Sequence, residues 1–153
     1  MGSLVVVDAS AIIAVLAEEP KGPEVVRALK DHGGPFAVPP MTVFESTLGL
    51  ARARIGRERS VTSEDIATAL AAIVKFCEAL QAEESAVSPS LARRAVEAAA
   101  RFGKIVGHRA DLNFGDCFAY AHAQARSEAL LFVGDDFTHT DVPSALLDPR
   151  PLR

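Results

Sequence analysis

Four acidic side chains stand at positions of this sequence where their carboxylates would meet. Asp8 directly follows an apolar run, and Asp135 follows the last apolar run of the chain. Asp116 falls in the first turn of the helix that leads into that last run, and Glu45 falls in the first turns of another helix. Because ligands of open parallel sheets lie beyond the carboxyl ends of the strands, we expect these acids at one edge of a sheet.

Such a cluster of acids favours one kind of chemistry. Carboxylates that lie close together raise each other's pKa unless a cation neutralises their charge. Oxygen ligands select a hard divalent cation such as Mg²⁺ or Mn²⁺ over zinc. A cation of this kind binds phosphate oxygens and lowers the pKa of a bound water. The four acids together therefore predict a metal-dependent enzyme that hydrolyses phosphodiesters.

Each acid also has a purely structural interpretation. Asp8 could cap the helix that follows it. Asp116 stands three residues after Asn113, which is the spacing of a capping box. Glu45 could simply favour the dipole of its helix, and the pair Asp135–Asp136 could form a turn. A catalytically silent interaction module, in which the acids only cap helices, is therefore an alternative to an enzyme.

The identity of the fourth acid depends on the turn after the last strand. Gly134 allows the chain to turn closely over the edge of the sheet, so the next residue, Asp135, is expected to project towards Asp8. Asp136 is expected to point outward and to have a supporting role. Asp141 is a further alternative if the segment loops back.

The basic residues of this sequence cluster locally. The net charge of −4 disfavours binding of nucleic acid by bulk charge, so any such contact must be local. Four arginines follow the helix of Glu45 within eight residues: Arg52, Arg54, Arg57 and Arg59. Taken alone, such a cluster is typical of an ordinary solvated helix face, and the four arginines are candidate RNA contacts only through the family resemblance of the chain.

The elements that must position these side chains alternate strands with helices. Strands are predicted over 4–7, 36–38 and 130–133, and helices over 9–17, 22–32, 41–55, 60–82, 89–101 and 113–126. Among the apolar positions expected to face the core are Phe44 and Phe114. The pattern predicts one α/β domain over 1–153, with three α/β/α layers around a short, mostly parallel central sheet.

Composition excludes several other classes of protein. The 153 residues are 49% hydrophobic, but the apolar runs have only the length of strands, so no membrane span is expected. The first residues lack the basic region of a secretion signal, so we expect a cytoplasmic protein. Cys77 and Cys117 are widely separated in apolar helical patterns, which favours reduced core thiols over a disulfide or a zinc site.

Several segments together carry a family resemblance. They are Val5–Ile12, Thr42–Glu45, Leu112–Ala121 and Leu130–Phe137, with Thr140–Asp141 after the last. The most specific stretches read Asn-Phe-Gly-Asp-Cys-Phe-Ala-Tyr and Gly-Asp-Asp-Phe. Over almost its whole length the chain resembles PIN-domain proteins and, more narrowly, VapC-type toxins of bacterial toxin–antitoxin pairs.

This resemblance implies a Mg²⁺- or Mn²⁺-dependent endoribonuclease, the toxic component of a type II toxin–antitoxin pair, that hydrolyses RNA with a metal-activated water. Asp8 and Asp116 would ligate the metal. Glu45 and Asp135 would complete the acidic pocket, partly through water, and Ser10 would form hydrogen bonds within it. It also implies a homodimer that a cognate antitoxin silences, with the antitoxin groove near the 60–82 helix. The alternative is a PIN-like metal-dependent nuclease or phosphatase outside a toxin pair.

Overall fold

The computed structural model describes residues 2–146, which form three short strands and six α-helices. In chain order these are β1 (Val5–Val7), α1 (Ala9–Leu16), α2 (Gly22–His32), β2 (Phe36–Ala37), α3 (Pro40–Ile55), α4 (Ser63–Leu80), α5 (Pro89–Phe102), α6 (Phe114–Ala125) and β3 (Ala129–Leu131). Two 3₁₀ helices, Lys104–Val106 and Asp136–His139, follow α5 and β3.

The sheet is parallel and places the first strand in its centre. The strand order is β2-β1-β3, and Val5 is in register with both Phe36 and Ala129. Isolated parallel bridges at Glu83 and Ser144 extend the two edges. Since all strands run in one direction, their carboxyl ends lie at the same edge.

Helices cover both faces of this sheet. Alternate residues of β1 point to opposite sides: Val6 joins the core cluster that includes side chains of α5 and α6, whereas Val5 and Val7 join the cluster formed with α1 to α4. This explains why β1 consists of β-branched residues without a polar alternation. The predicted three-layer α/β/α fold is confirmed.

Side-chain hydrogen bonds set several boundaries that the hydrophobic pattern alone misplaced. A capping box between Thr62 and Asp65 starts α4 at Ser63 instead of residue 60. The last strand ends at Leu131 instead of Val133, because the Val133 amide donates to Ser10 Oγ instead of continuing the ladder.

Two aromatic residues expected in the core are exposed. Phe44 on α3 is 65% exposed, and Phe114 at the start of α6 is 69% exposed. The prediction that these rings face the core was therefore wrong. The buried side of α3 is formed by Ser46, Leu50 and Ala51, which leaves Phe44 on another face of the helix.

The two cysteines lie in or against the two core clusters. Cys117 is buried and Cys77 is half-buried, and both are free thiols. In the part of the chain that the structure describes, no helix has both the length and the apolar character needed to cross a bilayer.

Candidate active site

Asp8 is the most buried acid at the carboxyl edge of the sheet. It is 3% exposed and follows β1 directly. Its Oδ2 caps α1, accepting hydrogen bonds from the Ser10 amide at 3.1 Å and from Ser10 Oγ at 2.6 Å. Its Oδ1 is buried and has no hydrogen-bond partner among residues 2–146. Helix capping therefore explains one carboxylate oxygen and leaves the other without a hydrogen-bond partner in the described part of the chain, which is costly for a buried polar atom.

Ser10 fixes the position of this carboxylate. Its hydroxyl donates to Asp8 Oδ2 and accepts from the Val133 amide at 3.0 Å. The Asp8 amide also donates to the Leu131 carbonyl at 2.9 Å. Ser10 thus links the turn after β1 to the chain leaving β3, and its hydroxyl is fully engaged in holding the site together.

Asp116, like Asp8, uses one of its two carboxylate oxygens in a helix cap. Its Oδ2 accepts from the Asn113 amide at 3.1 Å, and its own amide donates to Asn113 Oδ1 at 2.9 Å, which completes a capping box. Its Oδ1 accepts no hydrogen bond from the described chain. Burial, followed by repulsion from Asp8, Asp136 and Asp111, raises the pKa of Asp116 to about 6 against the opposing Asn113 bond.

The Glu45 carboxylate lies near Asp8 and Asp116 because Gly115 leaves room for it. This glycine was not identified from the sequence. A Cβ built on Gly115 would overlap the carboxylate of Glu45, so any larger residue at this position would displace that carboxylate from the site. Burial, then repulsion from Asp8 and Asp116, raises the pKa of Glu45 to about 7. A glycine inside the first turn of a helix, where it weakens the helix, was the available signal in the sequence.

Repulsion from Asp136 reaches two of these acids. Burial is the main cause of the raised pKa of Asp8, and repulsion from Asp136 adds to it, as it does for Asp116. Asp135 does not contribute to the pKa of any of the three other acids. The 3₁₀ helix begins only at Asp136, and buried Phe137 anchors it in the core. These interactions favour Asp136 over Asp135 as the fourth acid.

Asp141, the third possibility for the fourth acid, is engaged elsewhere. It accepts hydrogen bonds from the hydroxyl of buried Tyr120 and, at 3.2 Å, from the Arg101 guanidinium. These contacts hold the pKa of Asp141 below its usual range. They tie the segment after β3 to α5 and α6 at a distance from the acidic pocket.

The four carboxylates interact without forming a closed cage. Among residues 2–146, no three His, Cys, Asp or Glu side chains are arranged to ligate one ion. The acids that the structure brings together are Asp8, Glu45, Asp116 and Asp136, and they affect one another through repulsion. Direct ligation by this part of the chain would therefore involve at most two carboxylates.

The arginine cluster divides into different environments. Arg52 lines a cleft of about 480 Å³ together with Glu45 and Gly115. Arg59 instead forms two hydrogen bonds with Asp65, at 2.6 and 3.0 Å, and this ion pair lowers the pKa of Asp65. Arg54 and Arg57 are exposed. Of the four predicted contacts, Arg52 is the one that adjoins the acids.

Comparisons with known proteins identify the family of the chain. The family model for the PIN domain matches residues 5–143. A VapC ribonuclease of Rhizobium meliloti (strain 1021) is 40% identical over 138 residues, which cover 89% of this chain and 97% of that protein. The chain belongs to the VapC family of PIN-domain proteins.

Further relatives of this VapC-family chain come from mycobacteria. A VapC ribonuclease of Mycobacterium bovis is 34% identical over 143 residues, covering 93% of this chain and 98% of that protein. Ribonuclease VapC42 of Mycobacterium tuberculosis (strain H37Rv) is 52% identical over 60 residues, which are 39% of this chain and 46% of that protein. The family resemblance recognised in the sequence is confirmed.

Proposed function

We propose that this VapC-family chain is a Mg²⁺- or Mn²⁺-dependent endoribonuclease and the toxic component of a toxin–antitoxin pair. The observation that carries the proposal is the buried Asp8, whose Oδ1 has no partner in the described chain although two further acids with raised pKa values adjoin it. Its relatives of matching length are named ribonucleases. Capping alone leaves that oxygen unexplained, which argues against the silent module.

The donor set fits a hard divalent cation. Asp8 and Asp116 each use Oδ2 in a helix cap and keep Oδ1 for another partner. Mg²⁺ is commonly bound by one or two carboxylates while it keeps several waters. Asp8 and Asp116 would hold the ion, and Glu45 and Asp136 would complete the acidic pocket. Such an ion supplies an activated water and neutralises charge on the phosphate.

Other side chains of the site orient the ligating carboxylates and offset their negative charge. Ser10 and Asn113 orient the two ligating carboxylates through the hydrogen bonds given above. The Ser10 hydroxyl donates to Asp8 and accepts from the Val133 amide, so we assign it a positioning role and assign the attack on phosphorus to water. Arg52 offers a positive charge beside the acids, where an RNA phosphate would approach. Water is therefore the nucleophile that this site favours.

Cleavage should require the cation. Incubation of the purified chain with labelled RNA is expected to give cleavage with Mg²⁺ or Mn²⁺ and none with EDTA, because four unneutralised acids repel phosphate. Restoring Mn²⁺ to the chelated sample should restore cleavage, which controls for denaturation. Undiminished cleavage in EDTA would contradict the proposal.

Arg52 and Arg59 should differ in their effect on RNA binding. We expect Arg52→Gln to weaken binding and to reduce the slope of log K against log salt by about 1, as the loss of one phosphate contact does. Arg59→Gln is the matched control: it removes the ion pair with Asp65 and should leave the salt slope unchanged. Anisotropy titrations over a range of salt concentrations measure both. Equal salt slopes for Arg52→Gln and Arg59→Gln would show that Arg52 is an ordinary solvated residue that does not contact RNA.

Two exposed apolar surfaces support the proposed protein partners. On α4, Ile66, Leu70 and Val74 recur at a spacing of four residues and are 36%, 43% and 43% exposed. We assign this stripe to the antitoxin. Beside the groove between α5 and α6, Val96 and Ile105 are 69% and 87% exposed, and we assign this surface to a second copy of the chain.

Crossed variants test this assignment. Leu70→Glu should abolish binding of the antitoxin encoded beside this gene while the dimer persists. Ile105→Glu should give a monomer in sedimentation while antitoxin binding persists. Each variant serves as the folding control for the other. A wild-type chain that is monomeric at micromolar concentration would contradict the dimer, and antitoxin binding that survives Leu70→Glu would contradict the α4 surface.

A further inference from the structure

Two exposed phenylalanine rings line the same cleft as Glu45, one of the four acids of the candidate site. Phe44 and Phe114 are among the most exposed large apolar side chains, and both lie on the cleft of about 480 Å³ that also contains Glu45 and Arg52. Exposed apolar surface that borders polar groups commonly marks a binding site. The proposed hydrolysis of a phosphodiester does not require either ring.

Helix geometry directs both rings to this place. Phe44 shares one face of α3 with Leu48 and Arg52, since residues four apart lie above one another, and all three line the cleft. Phe114 is the first residue of α6 and immediately precedes Gly115, which contacts Glu45. Each ring thus belongs to a segment that also supplies an acid or its contact to the site.

The rings have little to hold them within the fold. Phe44 makes no ring contact with another aromatic side chain in the described part of the chain. Phe114 contacts Phe118, with ring centroids 5.1 Å apart, and the rest of its surface is open. Both rings therefore keep an accessible face for a flat ligand.

We propose that Phe44 and Phe114 stack on unpaired nucleobases of single-stranded RNA whose backbone passes Arg52 and the acidic pocket. This inference rests on the proposed function and adds the class of RNA that the site takes. Aromatic side chains stack on bases of any sequence, because every base presents a π-face. Bases inside an A-form duplex are already stacked and are not accessible to such rings. The cleft should therefore prefer unpaired over paired RNA.

The composition of the cleft favours RNA over a protein segment here. It combines apolar rings with a guanidinium and a carboxylate, which matches the mixed surface of a nucleotide. The groove between α5 and α6 is more uniformly apolar. Phe114 and Asn113 line both surfaces, so a protein partner on Phe114 is the competing outcome for the experiment.

The test compares an oligonucleotide with and without bases. The full chain carrying Asp8→Asn is titrated in EDTA, so that cleavage does not compete, against a labelled oligouridine of about 12 nucleotides. Phe44→Ala and Phe114→Ala should each weaken binding about tenfold, the equivalent of about 1.4 kcal/mol. An abasic oligonucleotide of the same length and charge should bind all variants equally. Phe44→Trp should keep the affinity for oligouridine, and Val87→Ala, at an exposed residue outside the cleft, is the matched control.

Three results would overturn the inference. Unchanged affinity for oligouridine in both alanine variants would show that the rings do not contact bases. Equal losses on oligouridine and the abasic oligonucleotide would show a general effect on the site. Loss of the dimer by Phe114→Ala with unchanged oligouridine affinity would assign that ring to a protein partner. Absence of cation-dependent cleavage by the wild-type chain would reject the proposed function. The titrations with oligouridine and the abasic oligonucleotide would still test whether the two rings contact bases.

Discussion

Asp8→Asn should reduce RNA cleavage by orders of magnitude while making the cation-free protein more stable. The substitution removes one charged ligand of the proposed ion, so cleavage is lost. It keeps the helix cap, because Asn caps helices as well as Asp does, and Ser10 can still donate to its oxygen. Cleavage assays with Mn²⁺ and thermal melts in EDTA measure the two effects.

The gain in stability follows from the direction of the pKa shifts. The pKa values of Asp8, Glu45 and Asp116 in the folded chain are raised, those of Glu45 and Asp116 to about 7 and about 6. Between the ordinary carboxyl pKa values of about 4 and these raised values, the folded state binds more protons than the unfolded state. The free energy of unfolding therefore falls as pH rises through this interval. The stability that each raised carboxyl pKa contributes is fully present below the ordinary pKa of about 4 and is lost as pH rises through the raised value.

Asp8→Asn removes the contribution of Asp8 to this loss. In EDTA at pH 7.5 the variant should melt above the wild-type chain, and its stability should fall less between pH 4 and 7. A gain of about 1 kcal/mol would raise Tm by about 2–4 °C in a chain of this size. Asp135→Asn, at an exposed acid outside the pocket, is the matched control and should leave cleavage unchanged. Wild-type cleavage rates in Asp8→Asn would contradict the site.

Asp136→Asn should reduce cleavage and cation affinity about 10–100-fold, as loss of a residue that supports metal ligands commonly does. The charge of Asp136 raises the pKa values of Asp8 and Asp116. Asp135 is not among the causes of the raised pKa values of Asp8, Glu45 and Asp116. Asp135→Asn differs from it by one position in the same short segment, so general damage to this segment would affect both variants. Cleavage rates and Mn²⁺ titrations of the pair measure the difference.

The opposite order would restore the expectation drawn from the sequence. If Asp135→Asn causes the larger loss, the fourth acid is Asp135, and the turn after Gly134 projects that residue towards the site. Asp141→Asn completes the series. It weakens the contacts with Tyr120 and Arg101, so it should lower Tm without changing cation affinity.

Patterns that depend on neighbouring residues were readable from the sequence. The strands around Val6 and Leu130 are short apolar runs, and the capping residue Asn113 marks the start of α6. Because all strands are parallel, the acid after β1 necessarily lies at the edge where ligands bind. The α/β/α fold and the family could therefore be inferred from the sequence.

Features that depend on packing between distant segments were not readable. Hydrophobic spacing placed Phe44 and Phe114 in the core, since periodicity does not say which apolar residues a neighbouring helix will cover. The role of Gly115 depends on Glu45, which is 70 positions earlier in the chain. These exceptions cluster at the candidate site, as expected where function competes with packing.

The unpartnered Asp8 Oδ1 makes cation binding the central claim, and calorimetric titration of the purified chain with Mn²⁺ tests it most directly. The wild-type chain should bind the ion and release protons as it does so, because the raised pKa values of Glu45 and Asp116 fall when a cation neutralises the pocket. Asp8→Asn should bind Mn²⁺ far more weakly. Equal Mn²⁺ affinity in the wild-type chain and Asp8→Asn, or no binding by the folded wild-type chain, would contradict the account.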